Sequence, residues 1–272
     1  MTKSPTLLLL LLLSQFCLAQ ITGAIPSSSS IANTSTSDSH HWTAFHNPAI
    51  LGKIEKSELA VLYENRFQLS ELSTKTIQAA YSNNLINTGI SLSQFGYSHY
   101  QEFMLGIGWG RNFSNKFSMG VQFNYFTNYF EASNTYRAAL IAQFGLLMQL
   151  SPNFNLGFSS FNPFQSNIKA EFVVQKIPSI FSYGAEYFFC PELVWRSQLD
   201  KEVSSNYRIA SGFEYTMLQL VVVKLGAYQS DFLVPCLGLG LSTSAFVLSF
   251  NTEMHPLLGL RSNIGMRYQI HN

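Results

Sequence analysis

Hydrophobic and polar residues alternate along most of the chain after Leu51, in segments of roughly ten residues separated by Asn, Ser, Pro and Gly. The segment from 117 to 129 is the clearest example. One of its faces carries Phe117, Met119, Val121, Phe123, Tyr125 and Tyr129, and the other carries Ser118, Gly120, Gln122, Asn124 and Asn128. A helix would mix these two sets, so the period of two predicts strands with one apolar and one polar face.

The same alternation recurs through the rest of the chain and predicts about fourteen strands, an even number that lets both ends of a single-chain barrel pair. They begin near Glu58, Lys75, Ile86, Tyr100, Phe117, Tyr136, Phe154, Ser179, Glu192, Asn206, Leu220, Phe232, Ala245 and Pro256. We treat the weak segment from Lys169 to Lys176 as a loop. The predicted fold is all-β, a closed antiparallel transmembrane β-barrel over residues 53–272.

The first 52 residues have a different character. Lys3, the leucine run from 7 to 13 and the small residue Ala19 follow the order of a secretory signal, which we place at residues 1–19. The leucine run is much shorter than the roughly 20 residues that a spanning helix needs. Residues 20–52 are first rich in Ser, Thr and Asn and show no apolar periodicity, so we interpret them as a polar leader that is either exposed or plug-like.

Composition agrees with a location in lipid. Charged residues make up only 11% of the chain, against roughly 25% in soluble domains. The chain has 23 Phe, 13 Tyr and 3 Trp, aromatic residues that suit a bilayer and its interfaces. The net charge of +1 gives no electrostatic footprint for nucleic acid. We therefore expect an outer-membrane location with bilayer lipid as a partner.

Short motifs in a consistent order carry a family resemblance. Residues 46–51 contain Asn-Pro-Ala, residues 156–164 end in Asn-Pro-Phe, and residues 212–215 and 255–259 follow in the last third. This pattern resembles the PorV and PorQ type of outer-membrane barrel of Bacteroidetes, which is related to the long-chain fatty-acid transporter group. By that resemblance Asn47, Pro48 and Ala49 would form a hatch or plug near the mouth of the lumen. The C-terminus departs from many such barrels, because the chain does not end on an aromatic residue.

Charged residues on the predicted inner face are of both signs, and they are Glu186, Arg196, Arg208, Glu214, Lys224, Glu253, Arg261 and Arg267. Two interpretations remain open. The residues form an internal network of ion pairs, because unpaired charges in a dry lumen are costly, or they line a polar path for a solute.

No pattern of catalytic or cofactor-binding residues stands out. The histidines at 40, 41 and 46 have no carboxylate or thiol at metal-ligand spacing, and no serine is placed to work with His255. Nucleotide-binding glycine motifs and the hydrolase serine elbow are missing from the sequence. We therefore predict a protein that is not an enzyme and that has no cofactor and no bound metal.

Two functions fit these features. The first is an accessory or scaffold barrel that works with components of a protein secretion or assembly complex, as the PorV and PorQ resemblance implies. The alternative is a channel for small hydrophobic solutes such as fatty acids, as the fatty-acid transporter resemblance implies. Short loops and a lumen blocked by paired charges favour the first.

Overall fold

The chain folds into a closed antiparallel β-barrel with an irregular N-terminal segment inside it. The computed structural model describes residues 23–38, 45–114, 116–169 and 174–270, so the predicted signal at 1–19 lies outside the described residues. No helix in these ranges is long and apolar enough to cross a membrane.

Sixteen strands are present among the described residues, and fourteen of them form the barrel. The barrel strands are β1 (Glu58–Arg66), β2 (Leu69–Tyr81), β3 (Asn87–Tyr97), β4 (Tyr100–Ser114), β5 (Phe117–Phe130), β6 (Thr135–Ser151), β7 (Phe154–Phe161), β10 (Ile180–Cys190), β11 (Leu193–Glu202), β12 (Tyr207–Met217), β13 (Val221–Gln229), β14 (Leu233–Ser242), β15 (Phe246–His255) and β16 (Gly259–Gln269). Neighbours in this order pair antiparallel, and β1 pairs with β16 to close the sheet. The predicted fourteen-stranded barrel is confirmed.

Two details of the strand prediction were wrong. The second strand begins at Leu69 rather than near Lys75, because β1 and β2 are joined by a turn of only two residues and the register shifts by a bulge at Asn65 and Arg66. The segment from Lys169 to Lys176 is not the predicted loop, because its two described ends belong to β8 (Asn167–Lys169) and β9 (Val174–Lys176), which pair antiparallel as a small hairpin. This hairpin stands outside the barrel sheet, in the connection between β7 and β10.

The two faces of the strands are separated as the alternation predicts. On β5, Phe123 and Tyr125 are exposed on the outer wall, whereas Gln122 and Asn124 are buried inside. Exposed Leu, Ile, Phe and Tyr side chains continue around the outside of the other strands. Acyl chains solvate such a surface, and water does not.

The two ends of the barrel differ in their connections. We call the end where β1 begins and β16 ends the terminal end, and the opposite end the loop end. The longest connection, residues 162–179 between β7 and β10, lies at the loop end. Barrels of this kind have short periplasmic turns and longer extracellular loops, which indicates that the loop end faces outward.

The assignment of faces predicts unequal effects of one charge at two positions of β13. Leu225 is in the middle of the strand and points outward, whereas Val222 lines a cavity inside the barrel. Leu225→Arg is expected to cost about 2–4 kcal/mol of stability in bilayers if it lies near the midplane. The side chain introduced by Val222→Arg would face water in this cavity, so the loss of stability should be much smaller. Urea unfolding of both variants in lipid vesicles measures the difference, and equal losses would contradict the assigned faces.

Candidate functional site

Residues 23–38 and 45–53, which we call the plug, lie inside the barrel and make one circuit of its inner wall. Their contacts begin at β4 with Ala24 and pass β1 at Ser27, β12 at Ile31 and β11 at Thr36. The second part of the plug then passes β6 and β5 and reaches β4 again. Its residues 48–53 form a short 3-10 helix there. Of the two possibilities for the leader, exposed or plug-like, the described residues adopt the second.

The plug has almost no regular secondary structure, so the side chains of the wall satisfy its backbone. Carboxylate oxygens accept hydrogen bonds from the backbone N–H groups of Ala24, Ser27 and Ile31, each at 2.9 Å. Donors on the wall serve the carbonyl groups, as Lys224 Nζ does for Ser29 at 2.5 Å. A buried backbone group without a partner is costly, so these side chains hold the plug in one path.

Glycines on the inner face of the strands make room for the plug backbone. A Cβ atom at Gly157 would collide with the Thr36 carbonyl group, and one at Gly120 would collide with the carbonyl group of Pro48. The glycines with this role are Gly110, Gly120, Gly145, Gly157 and Gly184, and Gly212 and Gly226 make room for the Ile31 side chain. Sequence reasoning placed glycines on the polar face of some strands but did not interpret them as space for a second layer of chain.

The Asn-Pro-Ala motif is buried inside the barrel and begins the 3-10 helix. Asn47 caps the helix, since its Oδ1 accepts a hydrogen bond from Ala49 N at 3.0 Å. The Nδ2 group of the same side chain donates to Thr36 O at 2.6 Å and to Leu146 O at 3.2 Å. Asn47 therefore joins the two parts of the plug to each other and to β6. Pro48 and Ala49 are buried beside it against the inner-face glycines.

A central ion cluster surrounds Arg196 on β11. The Arg196 guanidinium lies 2.9 Å from Glu186, 2.7 Å from Glu214 and 3.4 Å from Asp38 of the plug. Lys224 lies 3.8 Å from Glu214. All five side chains are buried, so each charge needs its partners of opposite sign to compensate for lost hydration.

A second set of alternating charges, which we call the polar ladder, runs around the inner wall nearer the loop end. Its ion pairs are Asp200 with Arg208 at 2.6 Å, Glu253 with Arg261 at 3.7 Å, Arg261 with Glu64 at 2.8 Å and Glu64 with Arg66 at 2.6 Å. Tyr228 connects Arg208 to Glu253. Its ring lies 4.6 Å from the Arg208 guanidinium, and its hydroxyl donates a hydrogen bond to Glu253. Arg208 also donates to Ala32 O of the plug.

All eight predicted inner-face charges thus lie inside the barrel, including Arg267, which pairs with Glu58 at 3.2 Å. The prediction omitted Asp38, Glu58, Glu64, Arg66 and Asp200, which complete the ion pairs, and Glu102, which accepts a hydrogen bond from Ala24 N. Glu58, Glu64 and Arg66 share one parity along β1, so the alternation could have identified them.

An apolar cluster covers the opposite side of the lumen, on β3 to β7. Phe95, Met104, Phe126, Ile141 and Phe161 are buried there together with Ala24 and Phe45 of the plug, and Ile168 and Ile177 join them from the connection at the loop end. Sequence reasoning missed this feature, because these residues interrupt the polar face only near one end of each strand.

Two cavities lie on the terminal side of the plug. One, of about 430 Å³, reaches from the turn residues Pro191 and Thr243 up to Ser29 and Ser30 of the plug and to the central ion cluster. The other, of about 600 Å³, adjoins Lys53, Ile54 and Pro152.

His46 lies where the two parts of the plug meet, and the carbonyl groups of Phe45 and His46 accept hydrogen bonds from Gln143. Burial lowers the pKa of the His46 imidazole to about 4, an effect that Asp200 partly offsets, so the ring is neutral at ordinary pH. In the described part of the chain no three His, Cys, Asp or Glu side chains are grouped to hold a metal ion. His40 and His41 lie outside the described residues.

The glycine contacts predict that added bulk on the wall displaces the plug. In Gly157→Ala the new methyl group collides with plug backbone, which should destabilise the barrel by about 1–3 kcal/mol. A cysteine placed at the buried Ser35, in protein with Cys190 replaced, should then react several-fold faster with a water-soluble maleimide. Gly265→Ala is the matched control, because its methyl group meets wall residues rather than the plug, the nearest being the Ser249 hydroxyl at 3.2 Å. Equal labelling of both variants would mean that the plug does not depend on this contact.

The central ion cluster predicts a large effect for Arg196→Met, which leaves three buried carboxylates without their shared cation. We expect a loss of about 3–5 kcal/mol, because uncompensated buried charge is poorly solvated. Arg208→Met, at a partly exposed position, should cost clearly less. The measurement is the temperature at which each purified variant changes from the folded to the unfolded form, which differ in mobility on a gel. Nearly unchanged stability of Arg196→Met would show that water reaches this cluster.

Comparison with solved structures finds channels of the same architecture. The toluene transporter TodX of Pseudomonas putida is 9% identical with a TM-score of 0.69, over 89% of this chain and 96% of that chain. The CymD monoaromatic hydrocarbon channel is 10% identical with a TM-score of 0.62, over 83% and 92% of the two chains. A FadL homologue of Pseudomonas aeruginosa is 12% identical with a TM-score of 0.58, over 84% and 94%. No protein-family model and no curated protein matches the chain.

At such low identity the likeness concerns the fold. The fold is that of FadL-type outer-membrane barrels, and together with the apolar outer wall it confirms the predicted outer-membrane location. Of the three, the first is named as a transporter, the second as a channel and the third as a FadL homologue. The relation to the PorV and PorQ type stays a prediction.

Proposed function

We propose that this protein is an outer-membrane channel for small hydrophobic solutes, closed at rest by its plug. The apolar cluster inside the barrel is the observation that carries the proposal. The interior of an outer-membrane barrel is ordinarily polar, since it faces water or a plug. Phe95, Met104 and Phe126 on the inner wall are instead apolar and are covered by other parts of the chain. A hydrophobic solute that replaces those contacts gains favourable burial, at about 25 cal/mol for each Å² of apolar surface.

The route starts at the loop end and meets the plug. Phe161 and Ile141 line the same apolar side, and Ala24 and Phe45 of the plug pack against it. A solute that follows this side therefore reaches plug residues of matching polarity.

Residues 27–32 of the plug act as the gate in this proposal. They separate the loop-end half of the lumen from the cavity of about 430 Å³, which Ser29 and Ser30 line from above. Glu64, Lys224, Asn251 and Glu214 hold this segment by hydrogen bonds to Ser27, Ser29 and Ile31. Movement of these few residues joins the two halves.

The second part of the plug has the character of an anchor. Ile50 and Leu51 are fully buried in the apolar cluster, and Gly52 packs against β4. Asn87 donates hydrogen bonds to Leu51 O and Ile54 O, each at 2.7 Å. We expect residues 47–53 to stay in place when the gate opens.

The solved structures of similar fold support this proposal, since their names describe a toluene transporter and a monoaromatic hydrocarbon channel. Those descriptions belong to those proteins. For this chain they make hydrophobic solutes the first class to test.

A disulfide that locks the gate tests the proposal. The Cβ of a residue at 212 would lie 2.6 Å from a γ carbon of Ile31, so cysteines at both positions are within bonding reach. In protein with Cys190 and Cys236 replaced, Ile31→Cys with Gly212→Cys should abolish uptake of labelled ethylbenzene by intact cells that lack their own channel. Reductant should restore uptake. The two single-cysteine variants are controls, and wild-type cells that take up no more than empty cells would refute the channel.

An accessory role in a secretion or assembly complex is the second candidate. The filled lumen of the described chain favours it, because a scaffold needs no open path. Recovery of stoichiometric protein partners from mild detergent, together with uptake equal to that of empty cells, would support this role over the channel.

A further inference from the structure

We infer that the carboxylate of Glu102 makes the apolar side of the lumen selective for uncharged hydrophobic solutes over those that carry a carboxylate. This inference rests on the proposed channel function and names the solute class of the same site.

Glu102 is a buried acid with hydrogen bonds to both oxygens. Its side chain is 3% exposed, and it points inward from β4 near the loop end. Oε2 accepts a hydrogen bond from Ala24 N at 2.9 Å, and Oε1 accepts one from the Tyr100 hydroxyl at 2.5 Å. Burial disfavours the ionised carboxylate, and the donors to both oxygens act against that effect, so we take the group to carry negative charge at neutral pH.

Apolar side chains flank Glu102 on the wall, and the Arg66 guanidinium lies over one of them, 5.2 Å from the centre of the Phe95 ring. Phe95 is its register partner on β3, and Met104 is the next inward residue on β4. Both side chains belong to the apolar cluster that forms the solute path. Screening by water is weak in such a place, so a second negative charge nearby is strongly disfavoured.

The arginines of the polar ladder do not offer a spare counter-ion. Arg66, which is nearest to this side, pairs with Glu64 and donates to Gly23 O and Ile25 O of the plug. Arg208 and Arg261 each face carboxylates as well. A carboxylate solute would have to break one of these pairs, whereas a neutral solute of the same shape needs none.

Two cations oppose this effect. Arg66 lies beside Glu102 but shares its charge with Glu64, and the test must separate the effect of the other, Arg137. Arg137 on β6 stands in the same cross-strand row as Glu102, with Asn128 between them. Arg137 is partly exposed near the rim of the loop end, where water screens its charge, whereas Glu102 is enclosed. We therefore expect the field of Glu102 to dominate inside the apolar side.

Three probes with one apolar body test the inference on the purified full chain in detergent: ethylbenzene, 4-ethylbenzoate and 4-ethylbenzylammonium. In wild-type protein the ammonium probe should bind at least about tenfold more tightly than the benzoate, as expected for a carboxylate within about 7 Å. Glu102→Gln should raise benzoate affinity about tenfold and leave ethylbenzene affinity within about twofold. Glu102→Asp keeps the charge and should behave as wild type, and exposed Glu71→Gln is the matched control.

Several outcomes would overturn the inference. Equal wild-type affinity for the two ions would do so without any variant, and so would a benzoate affinity that Glu102→Gln leaves unchanged. Benzoate binding that exceeds ammonium binding and is lost in Arg137→Gln would assign the opposite selectivity to Arg137. Binding with the expected preferences but without uptake in cells would refute the channel and retain the selectivity of Glu102. No saturable binding of ethylbenzene would overturn both.

Discussion

The bilayer core offers no hydrogen-bond partner to a polypeptide backbone, and the rest of this structure depends on that constraint. A sheet in lipid must close so that no edge remains, and here β1 meets β16. Fourteen strands enclose a lumen too wide for side chains to fill alone. The irregular plug fills much of it, and the same constraint returns inside, since its N–H and C=O groups need partners too. Wall residues such as Glu64, Lys224 and Gln143 provide them.

Strand number and the two faces could be predicted from sequence because the alternation has a period of two and the turns are short. Many ion pairs were also within reach. Glu186 with Arg196, Asp200 with Arg208 and Glu253 with Arg261 are direct cross-strand partners in hairpins. Counting back from each turn gives their register.

The plug was harder to predict, because a Ser- and Thr-rich segment without periodicity has the same composition whether it is exposed or enclosed. Its path is determined by shape, through inner-face glycines such as Gly157 and Gly212. Contacts between Arg196 and Asp38, or between Arg261 and Glu64, depend on the plug and on barrel closure. Neither can be read from a local register, and the apolar cluster depends likewise on how several strand ends meet.

The wall carboxylates that hold the gate also pair with cations, and this determines the free-energy cost of opening. Glu64 accepts hydrogen bonds from Ser27 while it pairs with Arg66 and Arg261, so departure of Ser27 leaves no bare carboxylate. Glu214 is in the same position, because it retains Arg196 and Lys224 when Ile31 N–H leaves. The loss is then two hydrogen bonds to a charged group at Glu64 and one at Glu214, about 1.5–3 kcal/mol each before water replaces them. An isolated buried charge would cost far more. A wall whose charges are balanced without the plug can therefore release the gate and remain folded, which makes a movable plug compatible with a rigid barrel.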